Sequence, residues 1–284
     1  RDDLKLLIMS ATLDNDRLQQ ILPDAPIIRS EGRAFPVERR YQPLSSHQRF
    51  DDAVAIATAD LLRQAPGSLL LFLPGVGEIQ RVQERLAARV GSDVLLCPLY
   101  GALSLNEQRK AILPAPDGQR KVVLATNIAE TSLTIEGIRL VVDTAQERVA
   151  SFDPRTGLTK LLTQRISQAS MTQRAGRAER LEPGICLHLL GAEQAERAAG
   201  QSTPEILQSD LSGLLMELLQ WGCQDPAQLT WLDTPPATHL AAARRLLTQL
   251  GALEEGRLSS RGQKMAGLGN DPRLAAMLTA AKGD

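Results

Sequence analysis

The stretch QRAGRAER, residues 173–180, sets Arg174, Arg177 and Arg180 three residues apart, with Gln173 at its head and Glu179 beside the last arginine. Residues three apart on a helix are neighbours on one face, so the spacing predicts a helix, opening here, that presents planar guanidinium forks. Such forks can grip a polyphosphate and offset the charge that builds on a phosphoryl group in transfer. A second stretch, ATNIAETSLTIEGI at 125–138, is rich in Thr126, Asn127, Ser132 and Thr134. Hydroxyls and free backbone N–H groups donate to phosphate without adding bulk. Each stretch alone has a plainer reading, the first as a solvated basic face and the second as a capped connection. Their setting decides between the two.

That setting is a series of short apolar runs: LKLLIM (4–9), LLLFL (69–73), DVLLCPLY (93–100), KVVLAT (121–126), RLVVDT (139–144) and GICLHLL (184–190). Near-continuous runs of this length fit strands buried on both faces of a parallel sheet. Helical patterns lie between several of them. In EIQRVQERLAARV the residues Ile79, Val82, Leu86 and Val90 share a face, and in SLNEQRKAIL Ser104 and Glu107 have capping-box spacing. Alternating strands and helices over 68–190 predict an α/β domain with a parallel sheet. The Thr126–Thr134 loop then falls at the carboxyl edge of that sheet, where α/β proteins bind ligands. Residues 146–166 break the rhythm with two β-prone runs around Asp153-Pro154-Arg155-Thr156-Gly157, which predicts a projecting β-hairpin. Beyond residue 203, helical patterns and a short hairpin around Glu255-Gly256 fit a winged-helix module, and DPRLAAMLTAA starts a further helix.

The chain of 284 residues has room for two domains. Its net charge of −1 gives no global signal for nucleic acid. Between Arg148 and Arg180, however, seven basic residues face two acidic ones, so any phosphate-binding surface is local. Cys97, Cys186 and Cys223 are scattered, and with His47, His188 and His239 they show neither disulfide nor metal spacing. They read as reduced and structural residues of a cytoplasmic protein. No signal peptide and no apolar run of spanning length occurs, so no membrane role is expected.

The order of the motifs resembles the second motor domain of superfamily 2 helicases, and specifically the DEAH-box RNA helicase group. Ser10-Ala11-Thr12 matches the SAT element, LLLFLPGVGEI motif IV, ATNIAETSLTIEGI motif V and QRAGRAER motif VI. The resemblance covers essentially the whole chain. It implies the end of a first RecA-like motor at 1–30, a second RecA-like motor at 31–202 with the hairpin inserted, a winged-helix domain at 203–266, and the start of a helical bundle at 267–284. It further implies that ATP binds between two motors whose closure drives movement along single-stranded RNA. On that basis Arg177 and Arg180 are arginine fingers, and Gln173 places the γ-phosphate and the attacking water. Ser132, Thr134 and Glu136 line the nucleotide side; Thr126, Asn127 and the amides around Gly75 face the RNA backbone. Ser10 and Thr12 couple nucleotide state to closure, and the hairpin near 148–165 acts as a wedge. The partners implied are ATP and RNA, with the protein a monomer.

Several features depart from the family pattern. Glu136 stands where relatives usually carry Asp, Ala145 where many have Gly, and Glu179 where the family has Gly between the two fingers. A carboxylate at 179 could pair with an arginine and compete with phosphate. A GxxxxGK[ST] loop and a DEAH tetrapeptide are both missing from the sequence. Mg²⁺ would therefore be held mainly by a first motor domain outside this chain, and the chain alone is expected neither to hydrolyse ATP nor to unwind RNA. Two other readings stay open: a non-catalytic binding module of helicase fold, and a DNA-directed superfamily 2 motor.

Overall fold

The structure is a computed structural model that describes residues 2–10, 15–32, 35–178, 182–269 and 271–281. The chain divides into two compact units. One comprises Arg1–Arg29, Ala150–Leu161 and Thr203–Asp284; the other comprises Ser30–Val149 and Leu162–Ser202. The helix α1 (Asn15–Ile21) belongs to the first of these and is followed in sequence by the sheet unit.

The sheet unit runs β1 (Val37–Tyr41), α2 (Phe50–Gln64), β2 (Ser68–Phe72), α3 (Val76–Ala87), β3 (Val94–Leu99), α4 (Leu105–Ile112), β4 (Arg120–Ala125), α5 (Ile128–Thr131) and β5 (Ile138–Asp143). A hairpin of β6 (Gln146–Asp153) and β7 (Leu158–Arg165) follows, then α6 (Gln168–Ala175), β8 (Gly184–His188) and α7 (Ala192–Arg197). Six strands form one wholly parallel sheet in the order β1-β8-β5-β2-β4-β3. The central strands are apolar on both faces because helices cover both; Leu69, Leu70, Leu71, Phe72, Val122, Val123 and Leu124 are all inaccessible to solvent. β3 lies at one edge and is mostly half-buried, which explains how it accommodates Pro98, a residue with no N–H to give a further neighbour.

The predicted details hold for α3, whose Ile79, Val82 and Leu86 are buried at helical spacing, and for the Ser104–Glu107 capping box of α4. They fail for residues 4–9. That run forms no strand, and Leu4, Leu6, Leu7, Ile8 and Met9 are exposed. Its apolar character is not matched by a sheet neighbour among the described residues of its own unit, and a lone strand cannot satisfy its backbone.

At the start of β4, Arg120 donates to the carbonyls of Leu62 (2.7 Å), Ala65 (2.6 Å) and Gly67 (2.9 Å), closing the carboxyl end of α2. Its neighbour Lys121, 1% exposed, donates to the carbonyls of Ala111 (2.8 Å) and Leu113, closing the carboxyl end of α4. Successive strand side chains point to opposite faces, so two adjacent cations each fasten one helix on its own side. Burial pushes both below their ordinary pKa.

In the other unit α8 (Ser212–Gln220), α9 (Ala237–Gln249), the short hairpin β9 (Leu253–Glu254) and β10 (Arg257–Leu258), α10 (Ser260–Ala266) and α11 (Pro272–Ala281) enclose Leu215, Met216, Ala243, Leu247, Ala252 and Met265. Glu255 and Gly256 both have positive φ, 50° and 77°, as a two-residue hairpin turn requires. The outer part of the β6–β7 hairpin is fastened to this core. Phe152 meets the His239 ring edge-on and donates its amide to Gln208, while Arg245 and Arg273 donate to the carbonyls of Pro154 and Gly157. Among the described residues no helix is long and apolar enough to cross a membrane.

Candidate functional site

Of the polar segments singled out by sequence, Thr126 and Asn127 sit at the carboxyl end of β4, the edge at which open α/β sheets take ligands, whereas the loop runs on to the start of β5 and the arginine turn packs against the start of β8. After β4 the chain turns at Thr126, half-buried, and Asn127, exposed. The carbonyls of these two residues accept from Ala129 (3.2 Å) and Glu130 (3.0 Å) to begin α5. Ser132, Thr134 and Glu136 then lie exposed along the loop, whose far end is pinned by the Glu136 amide donating to Ile112 at 3.1 Å.

QRAGRAER ends a helix instead of opening one, which corrects the predicted ladder of arginines on one exposed face. α6 begins at Ser167, whose hydroxyl accepts from the Ser170 amide, and it stops at Ala175; Gly176–Ala178 wind into a tighter single turn. Arg174, the last long side chain of the helix, is fully buried. Its Nη1 lies 2.8 Å from Asp143 Oδ1 and its Nε 3.3 Å from Glu130 Oε2, while Nη2 donates to the Gln146 carbonyl at 3.3 Å. The guanidinium also sits 4.8 Å over the Phe72 ring. A charge at that depth must be paired, and Asp143 supplies the pairing. Arg177, on the tighter turn, points elsewhere. Its Nε donates to the Glu130 carbonyl at 2.6 Å and its Nη1 to the Leu133 carbonyl at 3.0 Å. Motif VI is thus bonded directly to the motif V loop. Gln173, half-buried, comes directly before Arg174 on the helix. Arg180 and Glu179 lie outside the described residues, as does Thr12; Ser10 is described, exposed and outside any helix or strand, in the other unit.

The turn is also seated from below. Gly184 opens β8 against it, and a methyl there would lie 2.2 Å from the Ala178 carbonyl oxygen and 2.6 Å from its Cβ. Gly75, at the head of α3, has a different reason to lack a side chain. A Cβ would fall 2.1 Å from Nη1 of Arg148, whose guanidinium pairs with both Glu78 oxygens, at 2.7 and 3.3 Å. The expected RNA-facing amides near Gly75 therefore have a half-exposed guanidinium beside them. The hydrogen bond from Arg148 holds the Glu78 carboxyl below its usual range.

Sequence reading did not find the residues behind this edge. Burial alone would raise the Asp143 carboxyl, but Arg174 and the hydrogen bond from His188 hold it below the ordinary carboxylate range. Glu130 goes the other way: burial pushes it up, over the pull of Arg174. His188 Nδ1 lies 2.7 Å from Asp143 Oδ2, its Nε2 lies 3.0 Å from Arg39 Nε, and Tyr41 stacks on its ring. The available signal was an aspartate and a histidine closing strands that are otherwise apolar but for Arg139 near the start of β5, since such groups must find partners inside. Cys97 and Cys186 are buried free thiols, and no cluster of His, Cys, Asp or Glu among the described residues could hold a metal ion.

The run from α2 through the arginine turn is what known proteins share. Residues 53–182 match the helicase conserved C-terminal domain family. The sheet unit carries a helicase C-terminal domain. The whole chain is similar to the Escherichia coli (strain K12) "ATP-dependent RNA helicase HrpB", with 82% identity over 284 residues, and to the Haemophilus influenzae "ATP-dependent RNA helicase HrpA homolog", with 37% identity over 291 residues. It spans 35% and 22% of the length of those relatives, and 100% and 99% of it is matched. Two solved structures, of the "E. coli DExH-box NTPase HrpB" and the "Escherichia coli DEAH/RHA helicase HrpB", superpose with TM-scores of 0.89 and 0.95 at 82% identity. They are matched over 99% and 98% of this chain, which covers 35% and 36% of theirs. The helicase resemblance read from the motifs and the α/β fold with its parallel sheet are both borne out.

Proposed function

We propose that this chain serves an ATP-dependent RNA helicase as its second RecA-like motor and the winged-helix module that follows, with the whole protein coupling ATP hydrolysis to movement along RNA. The observation that carries this reading is 82% identity, along the full chain, to a protein described as an ATP-dependent RNA helicase. The local chemistry supports it. Exposed hydroxyls of Ser132 and Thr134 stand on a loop whose carbonyls hold the Arg177 guanidinium, a donor set suited to the oxygens of a triphosphate.

In this reading Arg177 and Arg180 reach the γ-phosphate from across a cleft and spread its developing negative charge, as arginine fingers do. Gln173 orients the attacking water, and Ser132, Thr134 and Glu136 line the nucleotide side. ATP, with Mg²⁺ held mainly by residues outside this chain, supplies the transferable phosphoryl group. Thr126, Asn127 and the Gly75 region meet the RNA backbone, and Ser10 and Thr12 link nucleotide state to closure. The protein acts as a cytoplasmic monomer. Because Arg177 is bonded to the Glu130 and Leu133 carbonyls, a phosphate that recruits its fork also pulls on the loop bearing Thr126 and Asn127.

The test is ATP turnover by the full-length protein with and without single-stranded RNA or DNA. RNA-stimulated turnover that falls by about 10³-fold or more in Arg177→Ala is the expected result. Equal stimulation by DNA would replace RNA with nucleic acid in general, and turnover indifferent to Arg177→Ala would remove its role as a finger.

A further inference from the structure

Five side chains, joined by four hydrogen bonds, close a ring through the end of α6. Asp143 on β5 accepts from Arg174 Nη1 through Oδ1 at 2.8 Å. Its Oδ2 lies 2.7 Å from His188 Nδ1 on β8. His188 Nε2 receives the Arg39 Nε–H from β1 at 3.0 Å. Arg39 Nη1 then reaches back to Thr172 Oγ1 at 3.2 Å. An arginine N–H has no lone pair, so His188 Nε2 must accept and Nδ1 must carry the proton that Asp143 receives. Each link thus has one donor and one acceptor, and Tyr41 stacked at 5.1 Å holds the imidazole plane.

The ring returns to α6 two residues from where it leaves. Thr172 and Arg174 are both fastened, and Gln173 lies between them. Neither Arg39 nor His188 belongs to a motif that the chemistry requires, and Arg39 lies on an edge strand, where an exposed arginine is not needed for the core. We propose that Arg39 and His188 are positioning residues that act through Thr172 and Asp143 to hold the last turn of α6, and so to set the reach of Gln173. The inference rests on the role given to Gln173 above.

The experiment uses the full-length protein with Thr172→Val, Thr172→Ser, Arg39→Ala, Gln173→Ala and the double variant Arg39→Ala/Gln173→Ala. Thr172→Val removes the hydroxyl that accepts from Arg39 at nearly the same shape, whereas Thr172→Ser keeps it. The expected result is a fall of about tenfold in RNA-stimulated kcat for Arg39→Ala and Thr172→Val at unchanged KM for ATP, the size of effect that a small misplacement produces. Thr172→Ser should match wild type. In the Gln173→Ala background the Arg39→Ala loss should disappear, since residues that act as one unit are not additive. A loss that adds in full to that of Gln173→Ala, or Val and Ser variants that cannot be told apart, overturns the proposal. Amide hydrogen exchange provides a measurement that needs no turnover. Residues 171–177 should exchange at least tenfold faster in Thr172→Val while β2 and β4 are unchanged, and unchanged exchange at 171–177 likewise overturns it. Wild-type protein without RNA-stimulated ATPase would refute the function proposed above, yet the exchange measurement would still decide whether the ring holds α6.

Discussion

Arg174→Met gives the sharpest test of the buried arginine in motif VI. Methionine fills much of the same space, so the perturbation removes charge and hydrogen bonds more than volume. What it leaves behind are the carboxylates of Asp143, 0% exposed at its side chain, and Glu130, 14% exposed. Removing one partner of a buried ion pair costs about 3–5 kcal/mol because the other charge is stranded. By contrast, an arginine on an exposed helix face is worth about 0–1 kcal/mol. At about 1.4 kcal/mol per tenfold, the first figure predicts that the slowest-exchanging amides of β5 and β8 lose protection by on the order of 10²- to 10⁴-fold. Acidity sharpens the test. In wild type Asp143 is held below its ordinary value, so its contribution is present above about pH 4 and fades only as pH falls below that. In the variant burial wins and the carboxyl rises above its unfolded value, so stability falls as pH climbs from about 4 upward. The deficit relative to wild type should therefore be larger at pH 8 than at pH 5. A loss of protection below tenfold, or a deficit that does not change with pH, refutes the argument that Arg174 is an internal strut.

Other outcomes follow from the same geometry. Lys121 is a buried ammonium depressed by desolvation, so wild-type stability should rise as pH approaches about 10.4, its unfolded value; Lys121→Met should lose that slope and about 1–3 kcal/mol through the stranded Ala111 and Leu113 carbonyls, read by urea unfolding. Gly184→Ala meets backbone atoms at 2.2 and 2.8 Å, which cannot move aside cheaply; about 1–3 kcal/mol of destabilisation is expected, and a crystal structure should show Ala178 displaced. Gly75→Ala meets only the far ends of two side chains, Arg148 and Glu78, so stability should change by less than about 1 kcal/mol, while the Glu78 pKa measured by NMR should move up toward its ordinary value as Arg148 swings away.

How much of this was legible in the sequence depended on whether a residue's partner was local. The hairpin at 146–165 could be read because Asp153-Pro154 and Gly157 set the turn within the segment, and the α4 start because Ser104 and Glu107 cap one another. β1 could not, because VERRY has no apolar run and gains its place only by pairing with β8, about 150 residues away. The arginine run misled for the same reason. Its spacing is regular, but Arg174 answers to Asp143 and Arg177 to the carbonyls of a loop more than 40 residues earlier. Ala145 shows the limit from another side: its φ of 57° places an alanine in the left-handed region, at a cost of roughly 1–2 kcal/mol, and a side chain buried with Ile166, Met171 and Leu190 offsets part of it.

The pair Arg120 and Lys121 carries a consequence for how the sheet assembles. β4 is apolar from Val122 to Ala125 and buried on both faces, so a slip of one residue along β2 or β3 would leave its greasy surface nearly unchanged. Alternation cannot police its alignment. The two cations can, because one step in either direction would exchange their faces and leave five carbonyls, those of Leu62, Ala65, Gly67, Ala111 and Leu113, without their donors. They work as a two-toothed key: the strand that carries Thr126 and Asn127 to the working edge seats at one depth only.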